Sequence, residues 1–226
     1  MIRRYKPVPM LLGIAVTCVN LLSSCSKDKA TPPDQPLILQ EDFDSADNLL
    51  WQTGNNGTVV TAVKNGWFVV SYLSKDMGTY SFWSAASLFP VERQTGSVEL
   101  LFRHTAGHAY DKAGLVFGVT NNQDYVAFTI GEKEFRIFQV VGGQTTNLVN
   151  WTRSAAIKGE LNEDNKLKVQ LTKEKLFFYI NDQKVVEMMK STAATTLDRI
   201  GFQMIKASTE VDSSTFMIDY VKVGRE

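Results

Sequence analysis

From Leu37 onward the chain is built of short apolar runs in which every second residue is apolar. That period of two is the mark of a strand with one buried face. Residues 97–103 put Val98, Leu100 and Phe102 on one side and Glu99, Leu101 and Arg103 on the other. Residues 114–119 set Leu115, Phe117 and Val119 against Gly114, Val116 and Gly118. Residues 125–130 set Val126, Phe128 and Ile130 against Tyr125, Ala127 and Thr129. In 135–141, Phe135 and Ile137 oppose Arg136, Phe138 and Val140. The pattern returns with Leu167, Val169 and Leu171, and with Leu176, Phe178 and Ile180 against Phe177 and Tyr179. It closes with Ile200, Phe202 and Met204, then Phe216, Ile218 and Tyr220.

Turn chemistry separates these runs. Asn121-Asn122-Gln123-Asp124, Gly142-Gly143 and Asn181-Asp182 each lie between two of them, and Asn and Gly tolerate the positive φ that tight hairpins need. Gly131-Glu132-Lys133-Glu134 reads as a further hairpin turn. No segment sustains an apolar period of 3.6 with caps at both ends; residues 183–196 come nearest and read equally well as a strand tail and loop. Many short strands at roughly ten-residue spacing predict an all-β fold, a two-sheet antiparallel sandwich or barrel.

The first 36 residues obey other rules. Arg3, Arg4 and Lys6 precede an apolar run over 10–22, which has the length of a signal-peptide core and falls short of the ~20 residues that span a bilayer. Residues 1–24 are therefore expected to be a removable leader. Leu22-Ser23-Ser24-Cys25 resembles the lipobox of bacterial lipoproteins, with Leu at −3 and small residues before the cysteine. The resemblance implies transfer of a diacylglyceryl group to the Cys25 thiol, cleavage before it and further acylation with chains such as palmitate. Residues 25–36 are polar and proline-rich and read as the lipidated cysteine and a flexible tether of ~30 Å reach. The folded domain is expected over 37–226.

Composition sharpens this reading. Of 24 basic and 24 acidic residues, three basic ones leave with the leader, so the product is mildly acidic. That excludes an electrostatic footprint for nucleic acid and leaves acyl chains, not charge, as the membrane anchor. Of the two cysteines, Cys18 lies in the leader, so the domain has no internal disulfide and relies on its core. Nothing in the pattern specifies an oligomeric state. Ser26 is compatible with sorting to the outer membrane, on its periplasmic face or at the cell surface.

Several stretches together resemble concanavalin A-like, laminin G-like jelly rolls. They are Glu41-Asp42-Phe43-Asp44 with Trp51 and Gly66-Trp67; Ala113 to Gly118 followed by Tyr125; Asn165-Lys166-Leu167-Lys168-Val169 with Phe178 to Asp182; and the closing Phe216 to Val223. The resemblance spans nearly all of 37–224. It implies two sheets face to face with the first and last strands paired. It also implies company with lectins, carbohydrate-binding modules, glucanases, adhesion domains and a keto-disaccharide hydrolase group, so it favours glycans without fixing an activity.

Glycoside hydrolysis requires two carboxylates about 5–10 Å apart. The glucanases of this superfamily carry them as Glu-x-Asp-x-x-Glu or Glu-x-Asp-x-Glu, and this chain has neither spacing. No Gly-x-Ser-x-Gly elbow, phosphate loop or cysteine cluster is present. His104, His108 and Asp111 are a conceivable metal set, but on a loop the reading as a polar rim is better supported. Calcium is the cofactor the resemblance favours, bound where the chain ends meet, with Glu41, Asp42 and Asp219 as hard oxygen ligands. On the face opposite the core, Glu99, Arg103, Tyr125, Arg136, Phe138, Phe177 and Tyr179 would project together if their strands share a sheet, with Trp83 and Tyr80 at its edge. Aromatic platforms flanked by charge suit sugar rings. The ligand set expected is Tyr125, Arg136, Phe138, Tyr179, Trp83 and Arg103. The function expected is that of a non-catalytic, membrane-anchored glycan-binding lipoprotein. The alternatives are a glycoside hydrolase or lyase of the same fold with a different catalytic set, and an adhesion module that binds protein.

Overall fold

The computed structural model describes residues 37–45, 47, 50–88, 95–192 and 197–225. The leader, Cys25 and the tether lie outside the described residues. The described strands are β1 (Leu37–Glu41), β2 (Gly54–Asn55), β3 (Val59–Lys64), β4 (Trp67–Tyr72), β5 (Gly78–Trp83), β6 (Gly96–Ala106), β7 (Lys112–Asn121) and β8 (Asp124–Gly131). They continue as β9 (Glu134–Val141), β10 (Gln144–Arg153), β11 (Asp164–Leu171), β12 (Lys175–Ile180), β13 (Gln183–Met189), β14 (Ile200–Lys206) and β15 (Ser214–Arg225).

Among the described residues the strands form two antiparallel sheets. The larger runs β13-β12-β11-β6-β15-β4-β3-β2, and the smaller β10-β9-β8-β7-β14-β5. On one edge of β15, β4 pairs with residues 214–218 and β1 with residues 221–224. The first and last strands are therefore partners. Neighbours in the sheet come from distant parts of the chain, as in β14 between β5 and β7, which is the crossover pattern of a jelly roll.

One core lies between the sheets, made by the alternating apolar sets. Val98, Leu100, Phe102, Leu167, Val169, Phe178 and Ile218 face it from the larger sheet, and Leu115, Phe117, Val126, Phe128, Ile137 and Phe202 from the smaller. Phe43, Trp51, Phe68 and Phe82 form an aromatic plug at one side, with ring centroids 5.1–5.7 Å apart. The Trp51 indole N–H donates to the Ile200 carbonyl at 3.1 Å, so its one polar atom is satisfied inside the core. Glu41 fixes the chain where it enters this plug: its carboxylate accepts the Phe43 N–H at 2.9 Å and the Leu50 N–H at 3.0 Å. Asn165 and Asn181 are structural in the same sense. Asn165 binds the Lys158 N–H and carbonyl at 3.0 and 2.8 Å, and Asn181 ties the Ala156 carbonyl to the Lys166 N–H.

The turns fall where the sequence placed them, though the 121–124 turn takes no positive φ. Gly142 and Gly143 have φ of 56° and 79°, and Asn181 and Asp182 have 47° and 67°, the paired positive values of a type I′ hairpin. Glu132 and Lys133 make the same turn at 51° and 65° without the usual Asn or Gly. In 183–196, the strand-tail reading holds as far as Met189. Two apolar positions depart from the simple alternation. Register shifts between Phe117 and Asn121, where Gly118 takes φ 64°, and Val119 lands outside with Val116 and Val140 instead of in the core. A second shift between Ile218 and Tyr220 turns Tyr220 outward, where its hydroxyl donates to Glu99 at 2.8 Å, and Val221 and Val223 fill the core instead. The shift in β15 adds one residue, which reverses the parity of the later positions; the shift in β7 adds two, and there the left-handed Gly118 turns Val119 outward.

Candidate functional site

The outer face of the smaller sheet collects the chemistry. Strand register places Trp83, Gly201, Val116, Ala127, Phe138 and Asn147 in one row across β5, β14, β7, β8, β9 and β10. The next row is Ser81, Gln203, Gly114, Thr129 and Arg136. Six strands at ~4.8 Å spacing make a platform on the order of 24 Å across. Val116 and Ala127 are buried and form its apolar floor with Val119, Phe138 and Val140; Trp83 and Tyr125 pack against this cluster. The Tyr125 and Phe138 rings meet edge to face at 6.4 Å.

Within this floor sit two polar atoms without a hydrogen-bond partner, Thr129 Oγ1 and Gln203 Oε1. Thr129 is 0 % exposed and Gln203 2 %. The other end of Gln203 is held: its Nε2 donates to Ser81 Oγ at 2.8 Å. Leaving such an atom unpaired costs about 1–3 kcal/mol; His104 Nε2 and Ser214 Oγ, on the other sheet, share this state. Gly114 lies between Thr129 and Gln203 in register. A Cβ there would come within 2.0 Å of the Phe128 carbonyl oxygen, so only glycine fits.

Arg136 ends this row. Its Nε donates to Asn147 Oδ1 at 2.6 Å, and its guanidinium lies 4.5 Å from the Phe138 ring centroid and 6.0 Å from that of Trp151. Burial against these rings holds its pKa below the ordinary arginine value. Lys112 reaches the same place, with Nζ 5.0 Å from the Trp151 centroid.

Four of the six ligand residues expected from sequence thus share one face: Tyr125, Arg136, Phe138 and Trp83. Arg103 and Tyr179 do not. They belong to β6 and β12 of the larger sheet, on the far side of the core. Arg103 is engaged by Asp164 at 2.8 Å and lies 4.2 Å over Trp67, and Tyr179 donates to Gln170 at 3.4 Å. Glu99 and Phe177 go with them, for a period of two gives the side of a strand, not the sheet it joins. Thr129, Gln203, Ser81, Asn147 and Trp151 escaped the sequence reading. For Thr129 a signal was present: it continues the outward series Tyr125, Ala127.

The histidine loop holds itself together. Asp111 is buried and accepts the His108 N–H at 2.9 Å and the Ala207 N–H at 2.8 Å. His104 stacks on Phe216 at 4.4 Å, and burial lowers its pKa, with the nearby Asp111 opposing. His108 Nε2 turns to Glu210 at 3.1 Å. The adjoining cavity, lined by Phe102, His104, Asp111, Ile130, Ile157 and Phe216, is about 40 Å³, far below the ~300 Å³ at which small-molecule pockets begin. Of the expected calcium ligands, Glu41 is engaged by the Phe43 and Leu50 N–H groups, and Asp42 accepts both its contacts from Gln40 Nε2. Asp219 has its pKa raised by burial and then by Asp164, with Asp42 a smaller influence. Among the described residues no three His, Cys, Asp or Glu side chains converge as a metal site.

Solved structures share this arrangement of strands. The chain is similar to the catalytic domain of an endo-1,3-β-glucanase (laminarinase) from Thermotoga petrophila RKU-1, with TM-score 0.60 and 10 % identity over 85 % of this chain and 98 % of that one. It is similar to a β-glucanase of Bacillus licheniformis, with TM-score 0.61 and 10 % identity over 83 % and 98 %. It is also similar to the carbohydrate-binding module CBM66 of Bacillus subtilis, with TM-score 0.53 and 13 % identity over 76 % and 94 %. The fold is a concanavalin A-like jelly roll. No protein-family model and no curated protein sequence matches the chain.

Proposed function

We propose that this chain is a membrane-anchored, non-catalytic glycan-binding lipoprotein that holds its ligand across the outer face of the smaller sheet. The observation that carries the reading is the aromatic platform: half-buried Trp83 and Tyr125 pack on the apolar floor of Val116, Ala127 and Phe138, with Arg136, Asn147 and the exposed Trp151 beside it. Sugar rings suit this surface: their CH faces pack on the aromatic rings while their hydroxyls bond to polar side chains at its edge, such as Asn147 and Arg136. The fold is shared by glucanases and a carbohydrate-binding module, which supports a glycan as the ligand class.

Carboxylate placement supports binding without hydrolysis. The strands of the smaller sheet carry two carboxylates, Asp124 and Glu134. They stand at opposite ends of β8, since Glu134 pairs with Gly131, on the order of 23 Å apart at ~3.3 Å per residue. A glycosidase needs its pair within about 10 Å.

The test is a glycan-array screen of the purified full chain beside Trp83→Ala and Tyr125→Ala, with circular dichroism to show that both variants fold. Selective binding that drops at least tenfold in each folded variant is expected. Binding unchanged in both removes this face from consideration, and sugar release from a bound oligosaccharide overturns the non-catalytic assignment.

A further inference from the structure

We propose that the glycan held on this face is acidic, and that Arg136 receives its carboxylate or sulfate group. The inference rests on the glycan-binding reading above and names the substrate class of that same site. Arg136 stands at the end of the row that contains the unpartnered Thr129 and Gln203 atoms, directly opposite Thr129 in register. Thr129 and Gln203 are covered, whereas Arg136 keeps part of its side chain at the surface, where a ligand lying along the platform meets it.

Arg136 lacks the carboxylate partner that two other arginines have: Arg103 stands beside Asp164 at 2.8 Å and Arg153 beside Glu134 at 3.5 Å. Among the described residues Arg136 has no carboxylate within salt-bridge distance. Its contacts are one neutral amide oxygen and two aromatic rings. An aromatic-flanked guanidinium keeps its plane and presents its remaining N–H groups in a fixed fork, the geometry that matches a carboxylate or sulfate with two parallel hydrogen bonds. Lys112 adds a second cation beside Trp151, while the nearest strand carboxylate, Glu134, is already taken by Arg153. This end of the platform thus carries positive charge without an internal counterpart. A neutral sugar would leave that charge partly desolvated and unpaired, whereas an acidic one completes it.

The experiment uses matched probes: polygalacturonate against its methyl ester, and dextran sulfate against dextran. Binding of the purified full chain to each is measured by isothermal titration calorimetry at low and high salt, for the unsubstituted chain, Arg136→Gln, Arg136→Lys and Trp83→Ala. At least one acidic probe is expected to bind at least tenfold tighter than its neutral mate. Arg136→Gln should erase that difference, Arg136→Lys should keep part of it, and salt should weaken only the acidic arm. Whichever acidic probe is favoured identifies carboxylate or sulfate as the group received. Equal binding of acidic and neutral mates, or an acidic preference that survives Arg136→Gln, overturns the inference. In either case loss of binding in Trp83→Ala keeps the face itself in place. No binding to any probe, or binding untouched by Trp83→Ala, overturns the inference together with the reading on which it rests.

Discussion

Thr129 differs from the structural asparagines by one unpartnered atom. Asn165 and Asn181 are also polar and set among apolar neighbours, yet their amide groups close loops onto the backbone. Thr129 Oγ1 does nothing of the kind in the free protein. Replacing Thr129 by Val keeps the shape of the side chain and removes the unpaired hydroxyl. The variant should be more stable by about 1 kcal/mol, raising the melting temperature by roughly 2–4 °C for a domain of this size, with glycan binding unchanged because the hydroxyl is covered. A lower melting temperature would show that the hydroxyl has a structural role instead. Little of this was legible in the sequence. Alternation shows that Thr129 is outward, but a hydroxyl's lack of partners depends on Gly114 and Gln203, which reach it only through strand pairing across the chain.

At the scale of elements, alternation identified the buried side of most strands because a period of two is local. It failed where the backbone inserts a residue. The one-residue bulge at Ile218–Tyr220 reversed the parity beyond it and turned Tyr220 outward, and the left-handed Gly118, within a two-residue shift, turned Val119 outward. It also left sheet membership open, which separates Arg103 and Tyr179 from Tyr125 and Arg136. Turns were legible where Asn or Gly marks the positive φ, and the Glu132-Lys133 hairpin shows the same geometry built from less suited residues. Left-handed φ in a residue with a Cβ costs roughly 1–2 kcal/mol. Converting the pair to Asn-Gly should therefore stabilise the protein by about 1 kcal/mol, net of the entropy that glycine adds to the unfolded chain, without altering glycan binding. Denaturant unfolding measures the change. A loss of stability would show that the Lys133 stem, which lies along Gly159, contributes more than the turn strain removes.

For the whole molecule, the decisive relation is between the binding face and the point where the chain enters the fold. The segment that begins at Cys25 joins the sandwich at β1, a strand of the larger sheet, while the proposed ligand surface is the outer side of the smaller one. The layers of a sandwich stand ~10 Å apart, so attachment on one layer leaves the other available for a polysaccharide. That arrangement is useful only if the attachment is to a membrane, which makes Cys25 the residue to test. With residues 1–24 removed the chain would be slightly acidic, so charge would not hold it on an anionic surface. Each buried CH₂ of an acyl chain contributes ~0.8 kcal/mol, and two or three chains together make the hold stable where one does not. In a Gram-negative host, cells expressing the full chain and fed an alkyne-bearing palmitate should yield a labelled protein whose amino-terminal peptide begins at modified Cys25. Cys25→Ala should abolish the label. An unlabelled chain released to the soluble fraction by an ordinary secretory cleavage would remove the lipid anchor from the proposal and leave the glycan face to act as a free binding domain.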